Sequence, residues 1–240
     1  NRLFAWLGQH DFFCASADDD YRRDYLASLT RQAKHLSRVL PRGAHGARLI
    51  LATKGLITAG LSLPGHNNWI SQGLKLLERA CAQQILADGG HISRSPAVQT
   101  QVLRHLVDIR SALLATQKEV PDFLMVAIDR AVPFLRMLRH NDGGLALFNG
   151  SNEGRGRLID MLLAQADSRG RPLTSAPHSG FERIVANRTI ILMDTGGPAA
   201  GAADTDTHAG TLSMEISIGR ERIIVNCGTR SGAREPWSQV

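Results

Sequence analysis

Two histidines stand in glycine-rich turns, each where the pattern of the chain changes. His91 lies in GGHISRSP (Gly89 to Pro96), wedged between two helical patterns. His208 lies in THAGTLSMEIS (Thr207 to Ser217), a loop that runs into a strand pattern. An imidazole titrates near neutral pH, so His91 and His208 are the first candidates for acid–base chemistry. Metal chemistry has weaker support. Asp204, Asp206 and His208 alternate, but no partner ligands are identifiable, so no metal is expected. The three cysteines, Cys14, Cys81 and Cys227, are far apart and form neither a disulfide framework nor a zinc site. Cys81, on an apolar helical face, and Cys227, at a strand end, are expected to be buried.

The elements that must position these residues fall into two kinds. Up to about residue 140 apolar residues recur every three or four positions, and after about residue 180 they alternate. Asp18 to Asp20 start a helix with the stripe Leu26, Leu29, Ala33, Leu36 and Leu40, ended by Pro41 and Gly43. A second helix carries Leu49 and Leu56, and a third carries Leu74, Leu77 and Cys81. Ser95-Pro96 and Pro121 start two more, the last with Pro133 inside it as an expected kink or break. HNDGG (His140 to Gly144) ends this region, and one short helix follows over Leu158 to Ala166. Two hairpins close the pattern, turning at Asn187-Arg188 and at Gly219-Arg220, the latter suited to a type II′ turn. Paired helices with short connectors describe a bundle, solenoid or toroid. Four strands close no sandwich, so more sheet is expected beyond Val240.

Bulk properties bound the function. The 240 residues are 43% hydrophobic, which suits one large domain or two smaller ones. The formal charge is +6 and the isoelectric point about 9.8, so an anionic partner or a plain solubility charge both fit. Nucleic acid is not expected, because the basic residues are scattered and aromatic residues make up only 5%. No apolar run is long enough to span a membrane. The chain begins at Asn1 inside a plausible pattern, so it reads as a piece of a longer protein.

The order GGHISRSP, HNDGG, HSGFERI, THAGTLSMEIS and RIIVNCG resembles the bacterial heparinase II/III family, from about residue 22 to Gly228. That resemblance implies an α+β chain: an incomplete α/α toroid of paired helices over 1–170, then the start of an antiparallel β-sandwich over 171–240. It also implies cleavage of an acidic, uronic-acid-containing polysaccharide by β-elimination, without a cofactor, in the cell envelope or periplasm of a Gram-negative bacterium. Such a site must neutralise the sugar carboxylate and supply a base and an acid. The resemblance makes His208 and His91 the catalytic candidates, and Arg48, Arg94 and His178 the substrate-binding ones. An ordinary loop histidine and an efficient helix–helix connector are the plainer readings of His208 and His91. Phe181 replaces the family's tyrosine in Ser179-Gly180-Phe181, which implies packing. Other departures matter more. Ala47 and Arg48 stand where catalytic members carry Asn-His, and Val98 where they carry a tyrosine. Valine moves no proton. A non-catalytic acidic-glycan-binding or envelope-assembly protein of the same fold is therefore the alternative. A glycoside hydrolase ranks third, since no facing carboxylate pair is singled out.

Overall fold

The structure is a computed structural model that describes residues 1–197 and 210–227. Its helices are α1 (Arg2–Gly8), α2 (His10–Cys14), α3 (Asp19–Gly43), α4 (Gly46–Ser62), α5 (Asn68–Gln84), α6 (Pro96–Ala115), α7 (Asp122–Met137) and α8 (Gly156–Ala166). The strands β1 (Ser175–Ala176), β2 (Phe181–Ala186), β3 (Thr189–Asp194), β4 (Met214–Ile218) and β5 (Glu221–Ile224) follow. The chain packs as two compact units, 1–83 with 105–124, and 84–104 with 125–240.

In the first unit α3 begins where its acidic start signal lies. The Asp18 carboxylate accepts a 2.7 Å bond from the Tyr21 amide, so a side chain caps one of the open N–H groups of the first turn. The stripe Tyr25, Leu29, Ala33 and Leu40 is buried, and α3 packs on α4. α4 is buried on every side from Thr53 to Gly60, which is why its sequence shows little amphipathic contrast. Lys54 lies within that buried run. Its ammonium meets Asp108 at 2.9 Å and lies 3.9 Å from the centre of the Phe4 ring. α1 and α2 precede the first pattern recognised in the sequence.

In the second unit the strands form an antiparallel meander in the order β1-β2-β3-β4-β5. Alternation decides its faces: Ile190 and Leu192 of β3 are buried against Phe134, Phe148 and Phe181. The opposite face carries a cross-strand row of Ile184, Ile191, Ile216 and Ile224. Both expected hairpins form. Gly219 sits at φ 60° in its two-residue turn, as a type II′ geometry requires, and Asn187 at φ 54° in the other. Of the kink or break expected at Pro133, the break does not occur. α7 continues to Met137, because Val132, Phe134, Leu135 and Met137 around the proline are all buried and hold the helix together. The burial expected of Cys227 is also corrected. Cys227 lies past the end of β5 and is exposed, whereas Cys81 is buried and its thiol is pushed up to about 12 by desolvation.

Candidate functional site

The GGHISRSP connector is built from its glycines. Gly89 has φ 88°, and a Cβ there would overlap the Arg130 carbonyl. A Cβ on Gly90 would overlap Ser179 Oγ. Asp88 secures the approach by accepting bonds from the Ser179 amide and hydroxyl, both at 2.7 Å. His91 is 3% exposed. The Ser93 amide donates to its Nδ1 at 3.1 Å, so Nδ1 is an acceptor and the ring proton sits on Nε2, which faces Gln84 Oε1 at 3.2 Å. Both ring nitrogens are therefore engaged by the protein. Desolvation pushes the pKa of His91 down to about 4, and the imidazole is neutral at neutral pH.

Arg94 stands at φ 56°, a left-handed conformation for a non-glycine residue. Its Nε donates to the Ser179 carbonyl at 2.8 Å, its Nη2 pairs with Asp194, and its Nη1 donates to the Gly197 carbonyl. The second Asp194 oxygen accepts from Asn149 Nδ2 at 3.1 Å. Burial raises the pKa of Asp194, while Arg94 and Asn149 pull the other way. Arg94 thus ties the connector to the turn before β2 and to the end of β3. His178 is exposed and adjoins Ser179 in that same turn. The structure gathers His91, Arg94 and His178 into one neighbourhood, with only His178 open to solvent. His208, Asp204 and Asp206 lie outside the described residues.

Arg48 belongs to the first unit, where a groove of about 750 Å³ lies along α1, α3 and α4. Arg2, Arg31, His35 and Arg48 line it over an apolar floor of Leu3, Leu36 and Leu51, and no Asp or Glu is among its lining residues. Such a groove can neutralise an acidic group by forked, charge-assisted bonds. Sequence reasoning found Arg48 but missed the others. Arg31 and His35 share a helix face at a spacing of four, a signal that was present. Arg2 rides on α1, which the pattern did not disclose.

The HNDGG turn does different work. His140 Nε2 lies 2.7 Å from Glu215 Oε2, with both side chains fully buried. Its Nδ1 is 2.8 Å from Ser217 Oγ, and Glu215 Oε1 accepts the amides of Leu147 and Asn226. This pair fastens the turn to β4. Among the described residues no group of three His, Cys, Asp or Glu side chains could hold a metal ion, and no helix is long and apolar enough to cross a membrane.

The heparinase II/III N-terminal family model matches residues 2–164, and the heparinase II/III-like C-terminal model matches residues 168–240. The chain belongs to the heparinase II/III family. The crystal structure of heparinase III is similar over 94% of this chain and 42% of its own, with a TM-score of 0.75 at 15% identity. The heparan sulfate lyase of Pedobacter heparinus is similar over 88% of this chain and 37% of its own, with a TM-score of 0.67 at 17% identity. These likenesses establish the fold as an incomplete α/α toroid followed by the start of a β-sandwich. FtsZ-localized protein C of Caulobacter vibrioides is 31% identical over 216 residues, 89% of this chain and 37% of that protein. The chain of this heparinase-family protein therefore spans well under half the length of the relatives it matches.

Proposed function

We propose that this heparinase-family chain belongs to a protein that binds an acidic polysaccharide without cleaving it, in the service of envelope assembly. One observation carries the reading: the groove around Arg48 holds three guanidiniums and no carboxylate. It has the means to hold a uronate or sulfate. The residue types of elimination are reduced elsewhere in the chain. Ala47 and Val98 replace the expected asparagine and tyrosine, Tyr25 donates its hydroxyl to the Trp6 carbonyl, and His91 is buried and neutral. The relative whose name places it with FtsZ supports an assembly role, exercised in company with FtsZ.

A second reading, elimination from a uronic acid, has its own support. His208 matches the family's loop histidine, and His35 lines the Arg48 groove. In that reading His208 acts as base or acid, and an arginine neutralises the sugar carboxylate.

One experiment separates the two. The full-length protein is incubated with a panel of acidic polysaccharides while binding and the ultraviolet absorbance of a new sugar double bond are followed together. Binding that is lost in Arg48→Ala, with flat absorbance, is the expected result. A rise in absorbance that disappears in His208→Ala assigns the lyase instead.

A further inference from the structure

A second pocket, of about 430 Å³, lies in the second unit where α7 ends. Arg136 and Arg139 reach it from α7 and the turn after it, Arg183 from β2, and Arg220 from the β4–β5 hairpin. Asp142 and Asp160 also line it, but each already has a partner. Asp160 pairs with Arg139 at 2.7 Å and Asp142 with Arg222 at 2.7 Å.

The other three guanidiniums have no carboxylate within ion-pair distance among the described residues. Arg183 gives both Nη1 bonds to backbone carbonyls, to Met137 at 2.8 Å and to Arg139 at 2.7 Å. Arg136 donates to the carbonyls of Ser168, at 3.0 Å, and Gly170. The Arg183 bonds satisfy carbonyls at the open end of α7, the Arg136 bonds tie that helix to the segment after α8, and together they hold two forks in place. They do not neutralise them, because a carbonyl carries only a partial charge. Arg183 is half-buried, and desolvation alone lowers its pKa, as expected for a cation drawn out of water without a counter-charge. Each guanidinium has five donors, and these contacts leave several unused on both forks.

We propose that Arg136, Arg183 and Arg220 form an oxyanion site that takes a carboxylate, sulfate or phosphate group. Two forks fixed by backbone bonds supply a rigid cradle, and the exposed Arg220 closes it from the hairpin. The pocket shares no lining residue with the Arg48 groove. The oxyanion has two possible sources: an acidic glycan or a free inorganic anion.

Calorimetric titration of the full-length protein tests the site, at constant ionic strength kept with chloride. Inorganic phosphate, inorganic sulfate and a sulfated oligosaccharide are titrated separately. The expected result is saturable binding that weakens about tenfold in Arg220→Ala, a loss of the size of one charge-assisted bond. Arg220 is exposed in a turn, so its removal leaves the bonds that complete α7 intact. Arg183→Lys keeps the charge but loses the fork, and it weakens binding as well. Saturation by the oligosaccharide alone that weakens in Arg220→Ala identifies a glycan as the source, and saturation by the inorganic anions that weakens in the same variant identifies a free ion. Binding by none of the three overturns the proposal, as does binding that is equal in the parent protein, Arg220→Ala and Arg183→Lys.

Discussion

Acidification should loosen the second unit through His91, and the size of the effect follows from its surroundings. The folded protein holds this imidazole neutral, with a pKa lowered from 6.5 to about 4 by burial. The unfolded chain therefore takes up the proton first as the pH falls. The stability contributed by the neutral ring is complete above about pH 6.5 and is lost progressively toward pH 4. A shift of this size corresponds to roughly 3 kcal/mol, a large part of the stability of an ordinary domain. The comparison that isolates it uses His91→Gln, which removes the titration and keeps a polar side chain. The variant should be less stable near neutrality by about 1–3 kcal/mol, since the Ser93 amide loses its acceptor. Its stability should then fall less steeply with acid than that of the parent protein. Urea unfolding at a series of pH values measures both. Parallel curves for parent and variant between pH 6.5 and 4 would mean that His91 is not held neutral, and the structural reading of the connector would fail.

Other consequences can be measured alongside. His140→Ala leaves the Glu215 carboxylate buried without its partner and should lower unfolding stability by about 3–5 kcal/mol, whereas Glu215→Gln, which keeps shape and acceptor, should lower it by only about 1–2 kcal/mol. Arg94→Lys keeps a charge but cannot reach Ser179, Asp194 and Gly197 together, and thermal unfolding should register a loss of roughly 2–4 kcal/mol. Arg48→Ala, on an exposed side chain, should change stability by no more than about 0.5 kcal/mol while weakening retention on an acidic-polysaccharide column.

Much of the fold is legible because its signals are local. The Asp18 cap, Pro96 at the first position of α6 and the Gly219 turn each depend on a few neighbouring residues, and each is found where the pattern puts it. Pro133 does not split α7, because the proline rule is local while the burial of Val132, Phe134 and Leu135 that holds the helix together is tertiary. The same limit explains the site. GGHISRSP reads as a chemical motif because glycines and a histidine fall together. What gives it those glycines is the nearness of the Arg130 carbonyl and the Ser179 hydroxyl, and Arg130 and Ser179 are 41 and 89 residues downstream of the glycine each one crowds. Asp194 lies 100 residues from the arginine it holds. No pattern along the chain announces such a partner.

Arg48 and Arg94 are the same residue type, and both are candidates for the same carboxylate on sequence alone. What separates them is whether the protein supplies an acid of its own. Arg94 has Asp194, backbone carbonyls and burial, so a ligand carboxylate would have to displace contacts that hold a turn and a strand end in place. Arg48 stands exposed in a groove without any Asp or Glu lining it, so an incoming acid displaces water alone. A guanidinium left without an internal counter-charge is the better place to expect an external one, and the same test points to Arg183 and Arg136 at the end of α7 rather than to Arg139, which already has Asp160. Applied across the heparinase fold, this criterion distinguishes arginines that build the scaffold from those available to a ligand. It predicts that Arg48→Ala and Arg94→Lys will separate cleanly, the first in binding and the second in stability. A result in which both variants lost binding at unchanged stability would show that Arg94 leaves Asp194 to meet the ligand.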